Sequence, residues 1–285
     1  MERVAIIGGG LLGGSLALRL AGECEVRLWV RRPESVALAR SLGVETATCE
    51  MTDALRGADL AILCVPVGAM GGLARNMIEA GLPKSCLVTD VGSVKAVVHR
   101  QLAEIFEPAG IQFIGSHPMA GGEVQGMEAA RHDLFQDAMC LLTNDAEVDD
   151  AGTGKLENFW RSLGCRTEWM SAGNHDRLVA RISHLPHVMA AATVRAALGS
   201  PTDARYGGGG LRDTTRVAGG NPVMWAEILL ENRQAVRESI SEAREFLGEI
   251  LASLDREDHE ATLRWLSEAS ERHSLGKAVI QDECG

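Results

Sequence analysis

The chain has 285 residues, of which 46% are hydrophobic and 24% charged, and this balance is typical of a folded globular protein with roughly two domains. Its net charge of −11 disfavours a nucleic-acid surface, because binding phosphates requires a basic face. No apolar run reaches the roughly 18 residues of a membrane helix, and a strand-like run begins at Arg3, so we expect no membrane span, no signal peptide and a cytoplasmic location.

The seven cysteines fall singly along the chain and form no CxxC pair. A disulfide framework or a zinc site would use paired or regularly spaced cysteines. The sequence therefore predicts reduced thiols and no bound metal.

The first half of the chain alternates short apolar runs with helical patterns. The runs are "RVAII", "CEVRLWV", "DLAILCV", "CLVTDV", "IQFIG" and "AMCLLT", and such alternation predicts βαβ units and a mostly parallel sheet. From about Ser171 the segments "HDRLVARISHLPHVMAAATVRAAL" and "NPVMWAEILLENRQAVRESISEAREFLGEILASL" show helical periodicity instead, and Asn221 and Pro222 provide an N-cap and a first helical residue for the second. We therefore expect an α/β domain over residues 1–170 and an all-helical domain over residues 171–285.

The first apolar run is followed directly by a glycine-rich turn and a helical pattern. In "VAIIGGGLLGGSLALRL", Gly8, Gly10 and Gly13 have GxGxxG spacing, with Leu11 and Leu12 between the last two. After a strand and before a helix, this spacing is the fingerprint of a Rossmann-type dinucleotide site, where the backbone approaches the pyrophosphate at the helix N-terminus. The first domain is therefore predicted to bind a dinucleotide; a glycine turn without a ligand is the alternative.

The end of the second predicted strand indicates which dinucleotide binds. An NAD site usually has an acidic residue there to bind the ribose 2′-hydroxyl, but this chain reads "LWVRRPES". Arg31 and Arg32 suit a 2′-phosphate, and Ser35 is a further donor. We expect NADP as the cofactor, with NAD as the alternative if one arginine stacks on adenine and the other is only solvated.

Polar residues gather where two further predicted strands end. "TDVGSVKAVV" places Ser93 and Lys95 after one strand, and "IGSHPMAGGE" places His117 after the next. Open α/β sheets bind ligands at this carboxyl edge, and a glycine-lined backbone lets a cofactor and a substrate approach closely. Since the ordinary pKa of histidine is about 6.5, a neutral His117 is a candidate proton acceptor.

The motifs of the whole chain resemble one family. The ordered set "GGGLLGGSLA", "DVGSVK", "GSHPMAGGE..G", "SHLPH", "GGGLRDTTRVA" and "NPVMWAEILLENR" is similar to the prephenate/arogenate dehydrogenases of tyrosine biosynthesis. The resemblance implies oxidative decarboxylation of prephenate to 4-hydroxyphenylpyruvate, with hydride transfer to NADP or NAD. It also implies that residues 1–170 bind the dinucleotide and that residues 171–285 bind substrate and dimerise.

The resemblance further implies roles for single residues. His117 would take the proton from the ring hydroxyl of the substrate, and Ser93 would hydrogen-bond the same hydroxyl. Arg216 would bind a substrate carboxylate through two parallel bonds, a geometry that lysine cannot copy. The other positions near the substrate would be His187, Arg212, Glu123 and Trp225.

Several of these residues also have a structural interpretation. Glu123 stands beside glycines where a carboxylate is often simply solvated, and Trp225 stands in an apolar stripe that usually packs in a core. His184 and His187 are three residues apart and would share a helical face, but Pro186 between them is expected to bend the helix. At least one of the two histidines is expected to be structural.

Two other functions stay open at this stage. One is another two-domain NADP-dependent hydroxyacid or ketoacid enzyme, which would normally use a lysine base and release no carbon dioxide. The other is a non-catalytic NADP-sensing protein. Such a protein would have no reason to keep Ser93, His117 and Arg216 together.

The helical half also bears on the oligomer and on the choice of substrate. Residues 221–254 carry apolar side chains on more than one face, so we expect a homodimer through these helices. Arg212 and Arg216 favour prephenate, whose side chain is a keto acid. Asp213 between them is the residue that would pair with the ammonium group of arogenate.

Overall fold

The computed structural model describes residues 1–122 and 126–284. In this part of the chain one eight-stranded sheet has the order β3-β2-β1-β4-β5-β6-β7-β8. The strands are β1 (Arg3–Ile7), β2 (Glu25–Trp29), β3 (Ala47–Thr48), β4 (Leu60–Leu63), β5 (Leu87–Asp90), β6 (Gln112–Pro118), β7 (Met139–Thr143) and β8 (Arg166–Met170).

The sheet is mostly parallel, as the sequence predicts. Pairing is parallel from β3 through to β6, antiparallel between β6 and β7, and parallel again between β7 and β8. The strand order reverses between β1 and β4, and ligands of open α/β sheets bind at such a switch point. Two strands are missing from the predicted set: β3 has only two residues, and β8 reads "RTEWM", without a continuous apolar run.

Helices cover both faces of the sheet and give two cores. The helices are α1 (Leu11–Leu20), α2 (Pro33–Ser41), α3 (Met51–Leu55), α4 (Val67–Glu79), α5 (Ala96–Phe106) and α6 (Asp150–Ser162). One core joins Leu16 of α1 and Trp160 of α6 to strand residues such as Ile6. The other joins Met70 of α4 and Leu102 of α5 to residues such as Ile7. The alternation of Ile6 and Ile7 follows from the two-residue period of a strand buried on both faces.

The sheet ends at Met170, where the sequence predicts the change to helices. The later helices are α7 (Ala172–Val179), α8 (Leu185–Ala197), α9 (Gly209–Thr215), α10 (Pro222–Glu231), α11 (Arg233–Asp255) and α12 (His259–Cys284), with a π turn at Ala180–His184 and 3-10 turns at Pro201–Tyr206 and Arg216–Gly219. By contacts the chain forms two compact units, residues 1–235 and residues 236–285. The first helices after the sheet thus pack in one unit with it, because hydrogen bonds join α7 to the start of α5.

The predicted long helix after Asn221 is correct at its start and wrong in its middle. The Asn221 side chain accepts hydrogen bonds from the backbone N–H groups of Val223 (2.9 Å) and Met224 (3.1 Å), so it is the N-cap. The helix stops at Asn232 and resumes as α11. The buried Asn232 side chain bonds to other segments, and its backbone leaves the helical conformation at that point.

Within the described residues, no helix is both long enough and apolar enough to cross a membrane.

Candidate active site

Three glycines shape the turn after β1 and the first turn of α1. Gly8 has φ +119°, and a Cβ there would lie 2.4 Å from the carbonyl oxygen of Cys64, while a Cβ on Gly13 would lie 1.9 Å from the carbonyl oxygen of Gly8. By contrast, a Cβ on Gly10 would meet no described protein atom within 4 Å. Two glycines therefore allow tight backbone packing, and the third faces open space at the N-terminus of α1, which suits a pyrophosphate.

Two more glycines in the same run have steric roles that the fingerprint does not show. A Cβ on Gly9 would lie 2.5 Å from Cγ1 of Val30, and a Cβ on Gly14 would lie 2.9 Å from Cβ of Ala130. The backbone N–H of Arg131 also donates to the buried Ser15 hydroxyl at 3.0 Å. The chain that follows β6 thus returns to pack on α1, and the extra glycines of "GGGLLGG" are the sequence signal for this contact.

The remaining cofactor candidates lie at the same edge of the sheet. Leu11 and Leu12 are the first residues of α1 and pack against its core. Arg31 and Arg32 directly follow the end of β2 and Val30, at the N-terminus of α2. Both guanidinium groups are exposed, and among the described residues neither has a hydrogen-bond or ion-pair partner; Ser35 is half-buried. These side chains are available to a ligand phosphate.

A buried ion pair holds the loop that carries Ser93. The ammonium group of Lys95 bonds the carboxylate of Asp90, and both side chains have no exposed surface. Asp90 also accepts from the backbone N–H of Gly92 (2.8 Å) and of Ser116 (3.3 Å). The pair therefore fixes the half-buried Ser93 between Gly92 and Lys95, and it ties this loop to β6.

His117 lies inside a strand and not in the glycine turn after it, which corrects the sequence-based expectation. The parallel pairing of β6 with β5 stops at Ile114, but β6 continues to Pro118 by pairing with β7, with His117 opposite Leu141. His117 is therefore beyond the carboxyl end of β5, at the edge where the sequence predicts a site. The strand holds its backbone more firmly than a glycine turn would.

His117 is the first member of a buried hydrogen-bonded chain. Its Nδ1 is 2.9 Å from Nε2 of His175, and Nδ1 of His175 is 2.8 Å from Oδ1 of Asp176. Both His175 and Asp176 lie on α7, and the His175 side chain is fully buried. Asp176 in turn accepts from the backbone N–H groups of Lys95 (2.7 Å) and Ala96 (3.0 Å), at the N-terminus of α5.

The surroundings keep His117 neutral and Asp176 ionised. Burial above all, and then the nearby His175, Lys95 and His184, hold the pKa of His117 well below its ordinary value. Burial alone would raise the pKa of Asp176, but the hydrogen bonds from His175 and from the backbone of α5 hold that pKa below its ordinary value. A helix N-terminus also favours a negative charge. His117 is thus a neutral imidazole at neutral pH, with one ring nitrogen protonated and the other free to accept a proton.

A second buried cluster adjoins the first. The amide nitrogen of Asn232 donates to the backbone carbonyl of Asp176 at 2.8 Å and lies 3.2 Å from Nδ1 of His184. An amide nitrogen donates hydrogen bonds and does not accept them, so Nδ1 of His184 is the acceptor. The proton of this neutral ring is therefore on Nε2. Burial lowers the pKa of His184 to about 4. His184, which is 1% exposed, therefore helps to hold α10 against α7.

His184 ends a π turn at residues 180–184, directly before Leu185 and Pro186. Pro186 has no N–H group and cannot continue the hydrogen bonds of an α-helix into the preceding turn. Wider π turns absorb such a missing bond and often occur at functional sites. The bend expected from Pro186 is thus a π turn, and it separates the helix of His175 from that of His187.

His187 and Trp225 form a stacked pair beside the glycine-rich segment. Their rings are parallel within 8°, with centroids 3.6 Å apart. A Cβ on Gly220 would lie 2.4 Å from Nε1 of Trp225 and 3.3 Å from Cε1 of His187. Nδ1 of His187 is buried and has no hydrogen-bond partner among the described atoms. An unpartnered buried nitrogen is a candidate contact for a polar ligand atom.

The arginines of the glycine-rich segment are exposed. Arg212 lies in α9, and Arg216 begins the 3-10 turn that follows. The 3-10 turn ends at Gly219, next to the Gly220 that supports the stacked pair. Glu123 lies outside the described residues.

The residues that the sequence interpretation missed are His175, Asp176 and Asn232. His175 comes four residues before the buried Val179 and so lies on the apolar face of α7. A polar side chain on such a face needs a buried hydrogen-bond partner, so a histidine on the apolar face of this helix indicates a buried polar contact. Asn232 gave no signal, because its partners are 48 and 56 positions away in the chain.

Comparisons with known proteins point to one family in both halves of the chain. A family model described as "Prephenate dehydrogenase, nucleotide-binding domain" matches residues 15–169, and one described as "Prephenate dehydrogenase, dimerization domain" matches residues 171–268. A cyclohexadienyl dehydrogenase of Zymomonas mobilis is 38% identical over 244 residues, which are 82% of this chain and 82% of that protein.

Two solved structures are similar over almost the whole chain. The prephenate dehydrogenase of Aquifex aeolicus, in complex with hydroxyphenyl propionate and NAD+, has a TM-score of 0.88 at 31% identity, covering 96% of this chain and 98% of that one. The arogenate dehydrogenase of Synechocystis has a TM-score of 0.83 at 26% identity, covering 96% and 99%. With both family models matched in order, the chain belongs to the prephenate dehydrogenase family.

Proposed function

We propose that this protein catalyses the oxidative decarboxylation of prephenate to 4-hydroxyphenylpyruvate, with hydride transfer to a nicotinamide dinucleotide, in tyrosine biosynthesis. The observation that carries the proposal is the buried, neutral His117 at the carboxyl edge of a sheet whose first turn suits a pyrophosphate. In this proposal residues 1–170 bind the cofactor, and residues 171–285 bind substrate and dimerise.

The proton balance of the reaction explains why a weakly basic histidine is useful. Prephenate has two carboxylates; hydride removes one negative charge, carbon dioxide leaves neutral, and the product keeps one carboxylate. The reaction therefore releases no net proton, so the proton that His117 takes from the ring hydroxyl returns to the phenolic oxygen. Because its pKa is low, His117 is unprotonated on one nitrogen before the reaction, and once protonated it returns the proton readily.

The other site residues have distinct roles in this proposal. Ser93 hydrogen-bonds the ring hydroxyl, from a loop that the Asp90–Lys95 pair holds in place. Arg216 binds a substrate carboxylate through two charge-assisted bonds. His187, Arg212, Glu123 and Trp225 complete the substrate site, with the buried Nδ1 of His187 as one polar contact.

The turn Gly8–Gly13 and the residues Leu11 and Leu12 would hold the dinucleotide, which supplies the hydride acceptor when bound. The open space at Gly10 is where a Cβ would obstruct the pyrophosphate. This chain's contribution is to bring backbone N–H groups and the N-terminus of α1 to the phosphates.

The experiment that tests the function measures both products. Purified protein is mixed with prephenate and NADP or NAD, and reduced cofactor is followed by absorbance while carbon dioxide is trapped. We expect the two to form in equal amounts. Reduced cofactor without carbon dioxide would indicate a hydroxyacid dehydrogenase, and no reduction of either cofactor would overturn the proposal.

We further propose that NADP is preferred over NAD. Arg31 and Arg32 occupy the end of β2, where an NAD site usually has an acidic residue, and both are exposed and unpaired within the described chain. Guanidinium groups bind phosphate well. The relative from Aquifex aeolicus was solved with NAD+, so the preference is a property proposed for this chain's own arginines.

Replacing Arg31 by Asp tests this preference. We expect the ratio of kcat/KM for NADP to that for NAD to fall by at least about tenfold, because the change removes a phosphate partner and adds an acceptor for the ribose hydroxyl. Arg100→Asp, at an exposed position of α5, is the matched control and should leave the ratio unchanged. A wild-type protein that already prefers NAD would contradict the proposal.

Between the two ring substrates, we propose that prephenate is used better than arogenate. Arg212 and Arg216 place two exposed positive charges in one segment, which suits the keto-acid side chain. Asp213 is also exposed and is the residue that would read an ammonium group. Comparing kcat/KM for both substrates tests this: a tenfold preference for arogenate, about 1.4 kcal/mol in transition-state binding, would reverse the assignment.

We also propose a homodimer through the helical half. The model of the dimerization domain matches residues 171–268, and exposed apolar side chains line the last two helices. More than half of each of these side chains is exposed: Leu251, Leu254, Leu263 and Leu266. Light scattering at micromolar concentration should give twice the mass of the chain; a monomer would contradict the proposal.

A further inference from the structure

The hydrogen-bonded chain beyond His117 carries an inference about how the base works. His175 and Asp176 belong to neither the glycine loop nor the substrate residues, yet they are buried and joined to His117 by two short contacts, 2.9 Å and 2.8 Å. A hydrogen bond between two neutral histidine rings has one donor and one acceptor nitrogen, so the proton position on one ring fixes the proton position on the other. The positions of the protons then follow from the end of the chain.

The end of the chain is the carboxylate of Asp176. A carboxylate only accepts, so Nδ1 of His175 carries a proton and donates it to Oδ1. Nε2 of a neutral His175 is then an acceptor, and Nδ1 of His117 must donate to it. The remaining nitrogen of His117, Nε2, is left with its lone pair. That is the nitrogen a general base needs.

The reverse arrangement, in which His175 donates to Nδ1 of His117, would need either a protonated Asp176 or a doubly protonated His175. A protonated Asp176 is disfavoured, because two backbone N–H groups at the start of α5 donate to its oxygens. A doubly protonated His175 would turn Nδ1 of His117 into an acceptor and place a proton on Nε2. Burial and the nearby Lys95 lower the pKa of His175 despite its bond to Asp176, so this ring is neutral.

We propose that His175 and Asp176 are positioning residues that fix His117 in the tautomer protonated on Nδ1, so that Nε2 is free to take the hydroxyl proton of the substrate. The role of His117 as the reacting base rests on the proposed function, whereas the assignment of its tautomer does not. Neither residue touches the substrate. They act through the ring of His117.

The same chain holds the proton during the reaction. The hydroxyl proton moves to Nε2 of His117, and the electron pair of that O–H bond forms the ring C=O bond as the same carbon loses hydride, which a bound dinucleotide would accept. The imidazolium of His117 donates through Nδ1 to His175, which donates to the carboxylate of Asp176. After carbon dioxide has left, the proton returns from Nε2 to the phenolic oxygen.

Other ionisable groups face His117 from the elements packed around it. Lys95 comes from the loop after β5, Asp90 from the end of β5, His184 from the π turn, and Cys140 from β7. Lys95 and His184 disfavour a positive charge on His117. The carboxylate of Asp90, paired with Lys95, offsets the positive charge of Lys95. Asp176 is therefore the carboxylate that connects to His117 through hydrogen bonds.

Nuclear magnetic resonance tests the tautomer without any turnover. Protein labelled with ¹⁵N in its histidine rings is recorded without ligands near pH 7.5, and the His117 signals are identified as those missing from His117→Ala. We expect a protonated Nδ1 and an unprotonated Nε2. A proton on Nε2, or a mixture of both forms, would overturn the proposal even if the protein turns over prephenate.

Variants of His175 test the consequence for the rate. His175→Phe keeps a buried ring but removes the acceptor, so we expect kcat to fall about 100-fold with little change in KM. His175→Gln restores an acceptor for His117 and a donor for Asp176, and should recover at least tenfold of that loss. His99→Phe, another buried histidine, which bonds to Thr143 at 2.7 Å, is the matched control for lost stability and should keep kcat.

The outcomes separate this inference from the proposed function. An unprotonated Nε2 in wild type that becomes protonated or mixed in His175→Phe supports the positioning role, whichever substrate is turned over. Equal kcat in wild type and in His175→Phe overturns it. If His175→Phe does not fold, the loss of the Nδ1-protonated form in Asp176→Asn decides the same question, and retention of that form counts against the proposal.

Discussion

In the glycine loop, backbone atoms approach Gly8 and Gly13 so closely that no side chain fits there, whereas His117, His175 and Asp176 are held by hydrogen bonds that join β6, α7 and the start of α5. The conformation of the glycine loop depends on the small volume of its residues, and the histidine network depends on the protonation states of its side chains. Added atoms should therefore damage the loop at any pH, and changes of charge should damage the network while the loop still binds its cofactor.

The largest effect should come from removing the base. His117→Ala should lower kcat by about 10²–10⁴-fold, the usual contribution of a positioned base, and should leave the dissociation constant of the cofactor unchanged. The acid limb of the pH–rate profile should also disappear. Kinetics and cofactor titration of the same preparation check this. Near-normal turnover would remove His117 from the mechanism, and a matching loss of cofactor affinity would show that the two regions are not separate.

Acid should weaken the network through His184. Above its ordinary pKa of 6.5 the ring is neutral in both states, but between pH 6.5 and about 4 the unfolded chain binds a proton that the folded chain excludes. The free energy of unfolding should fall through this range, by about 3 kcal/mol from His184 alone at its lower end. Denaturant unfolding at a series of pH values measures the slope. His184→Gln should flatten it, and an unchanged slope would show that His184 does not contribute.

Alanine substitutions should separate volume from ligand binding inside the glycine loop. Gly13→Ala places a Cβ 1.9 Å from the carbonyl oxygen of Gly8 and should cost about 1–3 kcal/mol of stability or more. Gly10→Ala meets no described protein atom within 4 Å, so it should keep the melting temperature and weaken cofactor binding. Thermal melts and cofactor titrations check both. Unchanged cofactor affinity in Gly10→Ala would contradict the assigned place of the pyrophosphate.

The glycine loop could be predicted from sequence because its constraints are local. Gly8 and Gly13 constrain each other within six residues, and the strand and helix around them follow from the apolar pattern. The same holds for the parallel order of the sheet and for the N-cap at Asn221. In each case the deciding contact is made by neighbours in the chain or by a periodic pattern.

The histidine network could be predicted only in part, because its contacts are distant in sequence. The motif around His117 predicts this residue, but its partner His175 is 58 residues away, and the carboxylate of Asp176 reaches back 81 residues to Lys95. No periodicity encodes such pairs. The extension of β6 through His117 was missed for the same reason, since it depends on antiparallel pairing with β7.

The π turn before Pro186 sets the direction in which the histidines point. In a regular α-helix each residue turns by about 100°, so positions 175 and 187, twelve apart, would differ by about 120° around the axis. A π turn takes up about one extra residue, which leaves eleven effective steps and a difference of about 20°. By this estimate, the widened turn between α7 and α8 should bring His175 and His187 to nearly the same side of the segment. A deletion of one residue within positions 180–184 would keep this alignment if the turn closed to a regular helix, whereas an insertion would turn His187 away from the side of His175.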